Sequence, residues 1–267
     1  MKVGIVGCGA IGQLLCGLIP KHLPNVTISA VVEREERHTR LRGELDPSIH
    51  LVSSVSTLLD LGLDLVIECA GHAALQAAGP TVLENGTDLL VVSVGALADP
   101  DIEAALRRAA GAGAGKIRIP AGALGGLDVL GAAKHAGLDR VTYTSNKSLV
   151  AWRGTPAEEM VNLEQIKTAT TFFIGNAREA ARLFPQNANV AAAVALGGVG
   201  FEKTEVRLAA DPHATENTHR IEAVGPFGEI NIRIAGKPLP ANAKSSMLAP
   251  YSVIRSLANM SQTIAIA

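Results

Sequence analysis

Aromatic residues are scarce in this sequence: one Trp, two Tyr and five Phe make up 3% of 267 residues. A hydrophobic core must therefore be built mainly from Ala, Val, Leu and Ile, which is typical of parallel strands covered by helices. Apolar residues reach 48% and charged residues only 18%, a balance that excludes a disordered chain. The length is sufficient for one large domain or two modest ones.

Net charge is also small, at a formal -1. The chain has no basic tract and no strong field that would recruit nucleic acid or an anionic membrane. It has no run of about 18 apolar residues, so no membrane span is predicted. The first residues, MKVGIVGCG, are typical of a buried strand and a tight turn rather than of a signal peptide. We therefore expect a cytoplasmic protein that binds neither nucleic acid nor membranes.

Cysteine is rare as well. Cys8, Cys16 and Cys69 show neither CxxC spacing nor a neighbouring cluster of histidines. A zinc site or a disulfide framework is therefore not expected, and we predict no metal. We interpret the three thiols as small apolar side chains in a reducing compartment.

The first 120 residues alternate between apolar strands and helices. Strands are predicted at 2–6, 26–32, 51–53, 63–69, 88–94 and 116–119, and helices at 12–19, 56–61, 73–84 and 101–110. Pro20 is expected to end the first helix. This alternation of strands and helices indicates that the strands pair in parallel and are joined by right-handed crossovers. We predict an α/β fold that begins with a Rossmann dinucleotide-binding domain over residues 1–120.

The pattern changes after Pro120. A glycine-rich loop, PAGALGGLD at 120–128, opens a helix, and the strands from Val141 onward look longer and more antiparallel. Residues 220–224 and 229–234 predict a hairpin with a four-residue turn. We predict a smaller α/β (α+β) domain at 121–240. The C-terminal segment, 241–267, contains helical spacing at 245–260 and is expected to return to the first domain.

Gly7-Cys8-Gly9-Ala10-Ile11-Gly12 reads G-x-G-x-x-G between a predicted strand and a predicted helix. Gly7 permits a tight turn, Gly9 lets the backbone approach a pyrophosphate, and Gly12 allows close packing of the helix on the strand. The first N–H groups of that helix, which include those of Ala10 and Ile11, would face the phosphates. This context predicts a dinucleotide site.

Glu33 ends the second strand and can accept hydrogen bonds from an adenosine ribose, which favours NAD. Arg34 follows at once and Arg37 is close, and a guanidinium could instead bind a 2′-phosphate. A solvated helix start is the alternative for both arginines. We therefore expect that NAD is used and NADP is tolerated. Ala70 and Gly71 follow the fourth strand and should line the cofactor, because ligands lie beyond the carboxyl ends of such strands.

Seven histidines are candidates for acid–base work, because the pKa of histidine lies closest to neutral pH. His219 begins a predicted hairpin strand and His213 lies in a predicted loop; the residues alone rank these two together. Lys147, in TSNKS, is a rival. It could act as a base, as lysines do in several amino-acid dehydrogenases, or it could bind a substrate carboxylate.

Three stretches resemble one family: PAGALGGLD at 120–128, FPQNANVAAAVAL at 184–196 and DPHATENTHRIEAVGPFG at 211–228. Together with GCGAIG near the N-terminus, they are similar to the L-aspartate dehydrogenase family along essentially the whole chain. The resemblance implies a Rossmann domain, a second domain for substrate binding and dimerisation, and a homodimer. It implies oxidation of L-aspartate by NAD or NADP to iminoaspartate, which water converts to oxaloacetate and ammonia, and a supply of iminoaspartate to NAD biosynthesis.

The same resemblance assigns roles to single residues. It makes His219 the catalytic histidine and places nicotinamide-side contacts on Ala123 and Asn189. Asn189 could also cap the helix predicted at 190–196. Two other functions stay open on the sequence. One is a reductase of the homoserine dehydrogenase or dihydrodipicolinate reductase type, although the paired histidines and lysine typical of the latter are absent. The other is a non-catalytic NAD-sensing module.

Overall fold

A computed structural model describes residues 1–185, 187–240 and 242–265. The chain forms two compact units. The first contains Met1–Ala96, Pro100–Pro120 and the chain from Pro250 onward, and the second contains Leu97–Asp99 and Ala121–Ala249. No helix among the described residues is both long enough and apolar enough to cross a membrane.

The first unit is built on a six-stranded sheet with the order β3-β2-β1-β4-β5-β6. Its strands are β1 Lys2–Val6, β2 Thr27–Val32, β3 His50–Val52, β4 Leu65–Glu68, β5 Asp88–Val91 and β6 Ile117–Arg118. All neighbours pair in parallel. Dinucleotide-binding sheets have this strand order. The order runs outward from β1 to β3 on one side and from β4 to β6 on the other.

Helices connect these strands as the alternating pattern predicts. They are α1 Ala10–His22, α2 His38–Arg42, α3 Val55–Leu59, α4 His72–Glu84 and α5 Pro100–Gly113, with 3-10 turns at Glu35–Arg37 and Val94–Ala98. The last helix, α11, spans Leu248–Ser261. Its Val253 and Leu257 are buried in one hydrophobic cluster with Val3 and Ile5 of β1. Aliphatic side chains therefore form this core, as the lack of aromatic residues requires.

The second unit contains a five-stranded mixed sheet with the order β11-β10-β7-β9-β8. Its strands are β7 Arg140–Ser148, β8 Thr170–Asn176, β9 Thr204–Asp211, β10 Asn217–Gly225 and β11 Gly228–Gly236, and a separate pair is formed by β12 Pro238–Leu239 and β13 Asn242–Ser246. The helices are α6 Leu127–Ala136, α7 Leu149–Trp152, α8 Ala157–Met160, α9 Ala177–Leu183 and α10 Asn189–Gly197, with a 3-10 turn at Leu163–Gln165.

Three details differ from the sequence predictions. Pro20 lies inside α1 and does not end it, because a proline near the last turn removes only its own N–H bond and the amide of Leu23 still reaches the carbonyl of Ile19 at 2.8 Å. The hairpin turn has two residues, since Gly225 pairs with Gly228. The second sheet is not wholly antiparallel, because β7 and β9 run in parallel.

The predicted bounds of the C-terminal segment were also wrong. Residues 242–246 form β13, which pairs with β12, and the helix begins only at Leu248. The chain joins the first unit from Pro250, so the boundary lies later than residue 240. Polar residues dominate NAKSS, and they lack the apolar spacing that a helix needs to pack on a core.

The second core is organised around the single tryptophan. Trp152 is fully buried, its ring packs edge-on against Phe172 and Phe184, and its indole N–H donates to the carbonyl of Ala209 at 3.0 Å. Trp152 lies at the end of α7, directly after β7, and its ring therefore fixes the end of that strand. Phe173 also packs against Phe184, so four of the eight aromatic residues lie together here.

We expect Trp152→Ala to lower the free energy of unfolding by about 3–5 kcal/mol, because it opens a large cavity and leaves a buried carbonyl without its donor. Val150→Ala is the matched control on the same helix. Val150 is 59% exposed, so its change should stay within about 0.5 kcal/mol. Urea unfolding followed by far-UV circular dichroism measures both, and equal effects of the two substitutions would contradict the assignment.

Candidate active site

The glycine turn between β1 and α1 has the geometry that its motif requires. Gly7 has a φ of +93°, in the region that favours glycine. A Cβ on Gly12 would lie 2.2 Å from the carbonyl oxygen of Gly7, whereas a Cβ on Gly9 would meet nothing within 4 Å. Gly7 and Gly12 are thus needed for the turn itself. Gly9 leaves open space above the start of α1, where Ala10 and Ile11 supply N–H groups that have no acceptor inside the helix.

A cleft of about 400 Å³ lies beside this turn in the first unit. It is lined by Val6, Gly7, Gly9, Val32, Glu33, Arg34, Arg37, Ser53, Cys69, Ala70 and Ala74. These residues come from the carboxyl ends of β1, β2, β3 and β4, where a parallel sheet binds its ligand. Three features fit the binding of a dinucleotide here. They are the tight turn at Gly7 and Gly12, the open space at Gly9 and the N-terminus of α1.

Glu33 and Arg37 hold the glycine turn in place. The Oε2 of Glu33 accepts the amide of Cys8 at 3.0 Å and the guanidinium of Arg37 at 2.6 Å. Arg37 also donates to the carbonyl of Cys8 at 3.0 Å. Arg34 differs, because its side chain is 74% exposed and its partner is Glu36 at 3.5 Å. Arg37 is therefore more than a solvated residue, whereas Arg34 is an exposed cation at this edge of the cleft.

Glu68 is a site residue that the sequence analysis missed. It ends β4 and is buried, and its carboxyl group accepts the amides of Ala70 at 2.8 Å and Gly71 at 2.9 Å, together with the amide and hydroxyl of Ser93. Burial raises its pKa. The carboxyl group fixes the Ala70–Gly71 loop that lines the cleft. An acidic residue at the end of the apolar run LDLVIEC was the available signal.

The second unit carries a buried polar cluster on one face of its sheet. Tyr143, Ser145 and Lys147 alternate along β7 and point to the same side, since side chains of a strand alternate between faces. His219 of β10 pairs in register with Ser145. All four side chains are at most 2% exposed. We call these residues, with Asn187, the inner polar cluster.

His219 is held by a phenol. The hydroxyl of Tyr143 lies 2.7 Å from its Nδ1, and the two rings are nearly parallel, at 12°. Burial lowers the pKa of His219 to about 3, and the charge of Lys147 acts in the same direction. The imidazole is therefore uncharged at neutral pH.

Lys147 is buried without a counter-charge. Its Nζ donates to Oδ1 of Asn187 and to the carbonyl of Lys244, both at 3.1 Å, and lies 5.6 Å from the centre of the Trp152 ring. Burial lowers its pKa to about 8, and the charge of Lys244 adds to the effect. None of the ion pairs formed within residues 1–185, 187–240 and 242–265 includes Lys147.

Two buried hydrogen-bond donors of the inner polar cluster are unused. The Nδ2 of Asn187 and the Oγ of Ser145 are buried, and neither has a hydrogen-bond partner in the described part of the chain. A buried cation with spare N–H and O–H donors, and no acidic neighbour that pairs with it, has the chemistry of a carboxylate site.

The other residues predicted in the second unit, Ala123, Asn189 and His213, are not members of the inner polar cluster. Ala123 is buried in the loop before α6. Asn189 is the first residue of α10, whose N-cap is Ala188 with no side-chain cap bond, so the predicted capping role of Asn189 was wrong. His213 is exposed on the turn after β9 and contacts the carbonyl of Lys167 at 3.2 Å. The structure thus separates His213 from His219, which the residues alone could not do.

Comparison with known proteins decides the family. Residues 128–260 match the family model described as "aspartate dehydrogenase, C-terminal", and residues 7–120 match "homoserine dehydrogenase, NAD binding domain". The L-aspartate dehydrogenase of Cupriavidus taiwanensis is 44% identical over 266 residues, and that of Pseudomonas aeruginosa is 42% identical over 268, each with complete coverage of both chains. The chain belongs to the L-aspartate dehydrogenase family.

A solved structure agrees with this membership of the L-aspartate dehydrogenase family. Aspartate dehydrogenase from Thermotoga maritima superposes with a TM-score of 0.77 at 25% identity, covering 100% of this chain and 99% of the other. The predicted fold class and the predicted resemblance are confirmed. The homoserine dehydrogenase match extends over the nucleotide-binding part alone, so it reflects a shared type of cofactor domain.

Two further cluster residues of this L-aspartate dehydrogenase family member had no predicted role. Tyr143 is 76 residues from His219 in the chain, and only the pairing of β7 with β10 brings them together. Asn187 lies in the stretch 184–196, and no role was predicted for it. Its signal is weak, because an asparagine before a helix is ordinary turn chemistry.

Among the described residues no group of three or more His, Cys, Asp or Glu side chains could hold a metal ion.

We expect Gly12→Ala to weaken NADH binding by at least about tenfold, or about 1.4 kcal/mol, because the new Cβ would force the Gly7 carbonyl and the turn to move. Gly17→Ala, on the same helix but with open space around its Cβ, is the control and should stabilise the helix by about 0.5–1 kcal/mol. Fluorescence titration with NADH measures the binding. Unchanged affinity in Gly12→Ala would remove this turn from the cofactor site.

Proposed function

We propose that this chain catalyses the oxidation of L-aspartate to iminoaspartate with NAD or NADP, followed by hydrolysis to oxaloacetate and ammonia. The observation that carries the proposal is the inner polar cluster, where an uncharged imidazole and an unpaired ammonium lie buried on adjacent strands. Full-length relatives named L-aspartate dehydrogenase support the same reaction.

The cofactor residues of the first unit would be Gly7, Gly9, Ala10, Ile11 and Gly12 at the pyrophosphate, with Glu33 at the ribose. Ala70 and Gly71 would line the same cleft. The bound nicotinamide supplies the hydride acceptor. Arg34, exposed beside Glu33, supports acceptance of a 2′-phosphate, while the carboxylate of Glu33 favours NAD. We therefore propose NAD as the preferred cofactor and NADP as a tolerated one.

The nicotinamide side of the cofactor would contact Ala123 and Asn189. Ala123 offers a small side chain against which a flat ring can lie, and Asn189 carries an amide that can pair with a carboxamide. Both belong to the second unit, which we propose to be the substrate-binding and dimerisation domain. The first unit is then the nucleotide-binding domain.

His219 is the proposed catalytic residue. Its Nδ1 is occupied by Tyr143, which leaves Nε2 for the amine of the substrate or for the water that attacks the imine. An uncharged imidazole can exchange a proton at this position. Lys147 is the proposed carboxylate-binding residue, since aspartate carries two carboxylates and the structure leaves this cation without a counter-charge.

Three further proposals follow from the resemblance rather than from the site. They are a homodimer, a cytoplasmic location and the supply of iminoaspartate to NAD biosynthesis. The low net charge supports a protein with a small-molecule substrate and no nucleic-acid or membrane partner.

The purified protein should reduce NAD, and more slowly NADP, when L-aspartate is added, and L-homoserine should give no turnover; absorbance of the reduced cofactor measures the rate. His219→Ala should lower kcat by about 10²- to 10⁴-fold, the range of acid–base contributions. His213→Ala, the exposed histidine after β9, is the control and should retain full activity. Binding of NADH without turnover on L-aspartate would favour a cofactor-sensing module instead.

A second prediction concerns Lys147 and uses succinate, a dicarboxylate without an amine, as a competitive inhibitor. Lys147 is charged below its pKa of about 8 and neutral above it. The inhibition constant should therefore be constant from pH 6.5 to 7.5 and should rise by about tenfold per pH unit well above pH 8. Both carboxylates of succinate stay ionised over this range, so the change reports the protein.

Variants of Lys147 test whether this pH dependence arises from the Lys147 side chain. Lys147→Arg keeps its charge throughout the range and should abolish the rise, whereas Lys147→Met should bind weakly at every pH. Lys167→Met changes an exposed lysine and should behave as the wild type. A rise above pH 8 that persists in Lys147→Arg would assign the titration to another group.

A further inference from the structure

We propose that Tyr143 is the positioning residue of His219: its hydroxyl holds the imidazole at Nδ1 and aims Nε2 at the substrate. This inference rests on the proposed catalytic role of His219. It adds a second residue to the reaction that neither the sequence motifs nor the family resemblance indicates.

The sheet register brings the two side chains together. Tyr143 pairs with Ile221 and Ser145 pairs with His219, so Tyr143 and His219 are diagonal neighbours on one face of two antiparallel strands. Diagonal neighbours are within reach when one side chain is aromatic. The hydroxyl of Tyr143 spans this diagonal and meets Nδ1 at 2.7 Å, a short distance for such a bond.

No other group orients the ring. The bond to Tyr143 is the only hydrogen bond of the His219 ring among residues 1–185, 187–240 and 242–265. Both side chains are almost completely buried, so water does not replace the phenol. The imidazole is therefore fixed at one nitrogen by a single neutral partner, and its second nitrogen is left for a ligand.

A phenol suits this position better than the carboxylate that often orients a histidine. A carboxylate would add a negative charge beside the imidazole and would stabilise the imidazolium form. Burial raises the pKa of Tyr143, so the phenol keeps its proton and orients the ring without adding charge. The titratable groups that act on His219 are then Lys147 on β7 and, through Lys147, Lys244 on β13.

A double-mutant cycle tests this role. Tyr143→Phe keeps the ring and removes the hydroxyl, and it should lower kcat by about 10- to 100-fold with less than about a twofold change in the KM for L-aspartate. In a His219→Ala background the same substitution should change the residual kcat by less than about twofold, because the residue through which it acts is absent. An equal loss in both backgrounds would overturn the proposal and indicate a structural role.

Nitrogen NMR of protein labelled with ¹⁵N-histidine gives a readout that needs no turnover. Tyr143→Phe should shift the Nδ1 resonance of His219, and Tyr251→Phe should not. Tyr251 is the other tyrosine of the chain, it is 41% exposed, and it lies against His22 rather than His219. An unshifted Nδ1 resonance in Tyr143→Phe would overturn the inference. A wild-type protein without activity on L-aspartate, but with this shift, would instead overturn the proposed function and leave the pairing intact.

Discussion

The main physical constraint on the second unit is the buried ammonium group of Lys147. The pleat of β7 places Lys147 on the same face as Tyr143 and Ser145, and all three side chains are buried. Two neutral acceptors, the amide of Asn187 and the carbonyl of Lys244, bind this group, and the face of Trp152 lies beside it. These contacts replace part of its hydration but supply no negative charge. Burial keeps the neighbouring imidazole neutral, and the positive charge of Lys147 acts in the same direction.

In the first unit, acidic side chains accept hydrogen bonds from backbone amides. Glu68 ends β4 and Glu33 follows directly after β2, and each accepts backbone N–H groups of a loop that lines the cleft. A carboxyl group that accepts several amides fixes loop geometry more firmly than turn propensity alone. Glu33 therefore has two tasks, since the carboxylate expected to face a ribose also holds the amide of Cys8. Arg37 shares the second task, whereas the side chain of Arg34 is exposed and pairs with Glu33 and Glu36.

Local signals in the sequence sufficed for the first unit and only partly for the second. Residues 1–120 repeat one strand–helix unit, so periodicity and Gly7, Gly9 and Gly12 were enough to predict the parallel sheet and its ligand site. The pairing of β7 with β9 in parallel, and with β10 in antiparallel, joins segments far apart in the chain, and no local pattern specifies it. The role of Tyr143 follows from that pairing alone. Lys147 was a candidate because of its side-chain chemistry and His219 because of the family resemblance, whereas Asn187 and Glu68 resembled ordinary turn and strand-end residues.

The unpaired charge also couples ligand binding to protonation. A carboxylate that binds beside Lys147 supplies the missing negative charge and raises the pKa of the ammonium toward its ordinary value. Near pH 8, where about half of the lysine side chains are neutral before binding, each binding event draws part of a proton from solution. A substrate with one carboxylate fewer leaves this group either desolvated and unpaired or uncharged. If Lys147 binds a substrate carboxylate as proposed, a preference for a dicarboxylic amino acid would follow from the free energy of this buried cation.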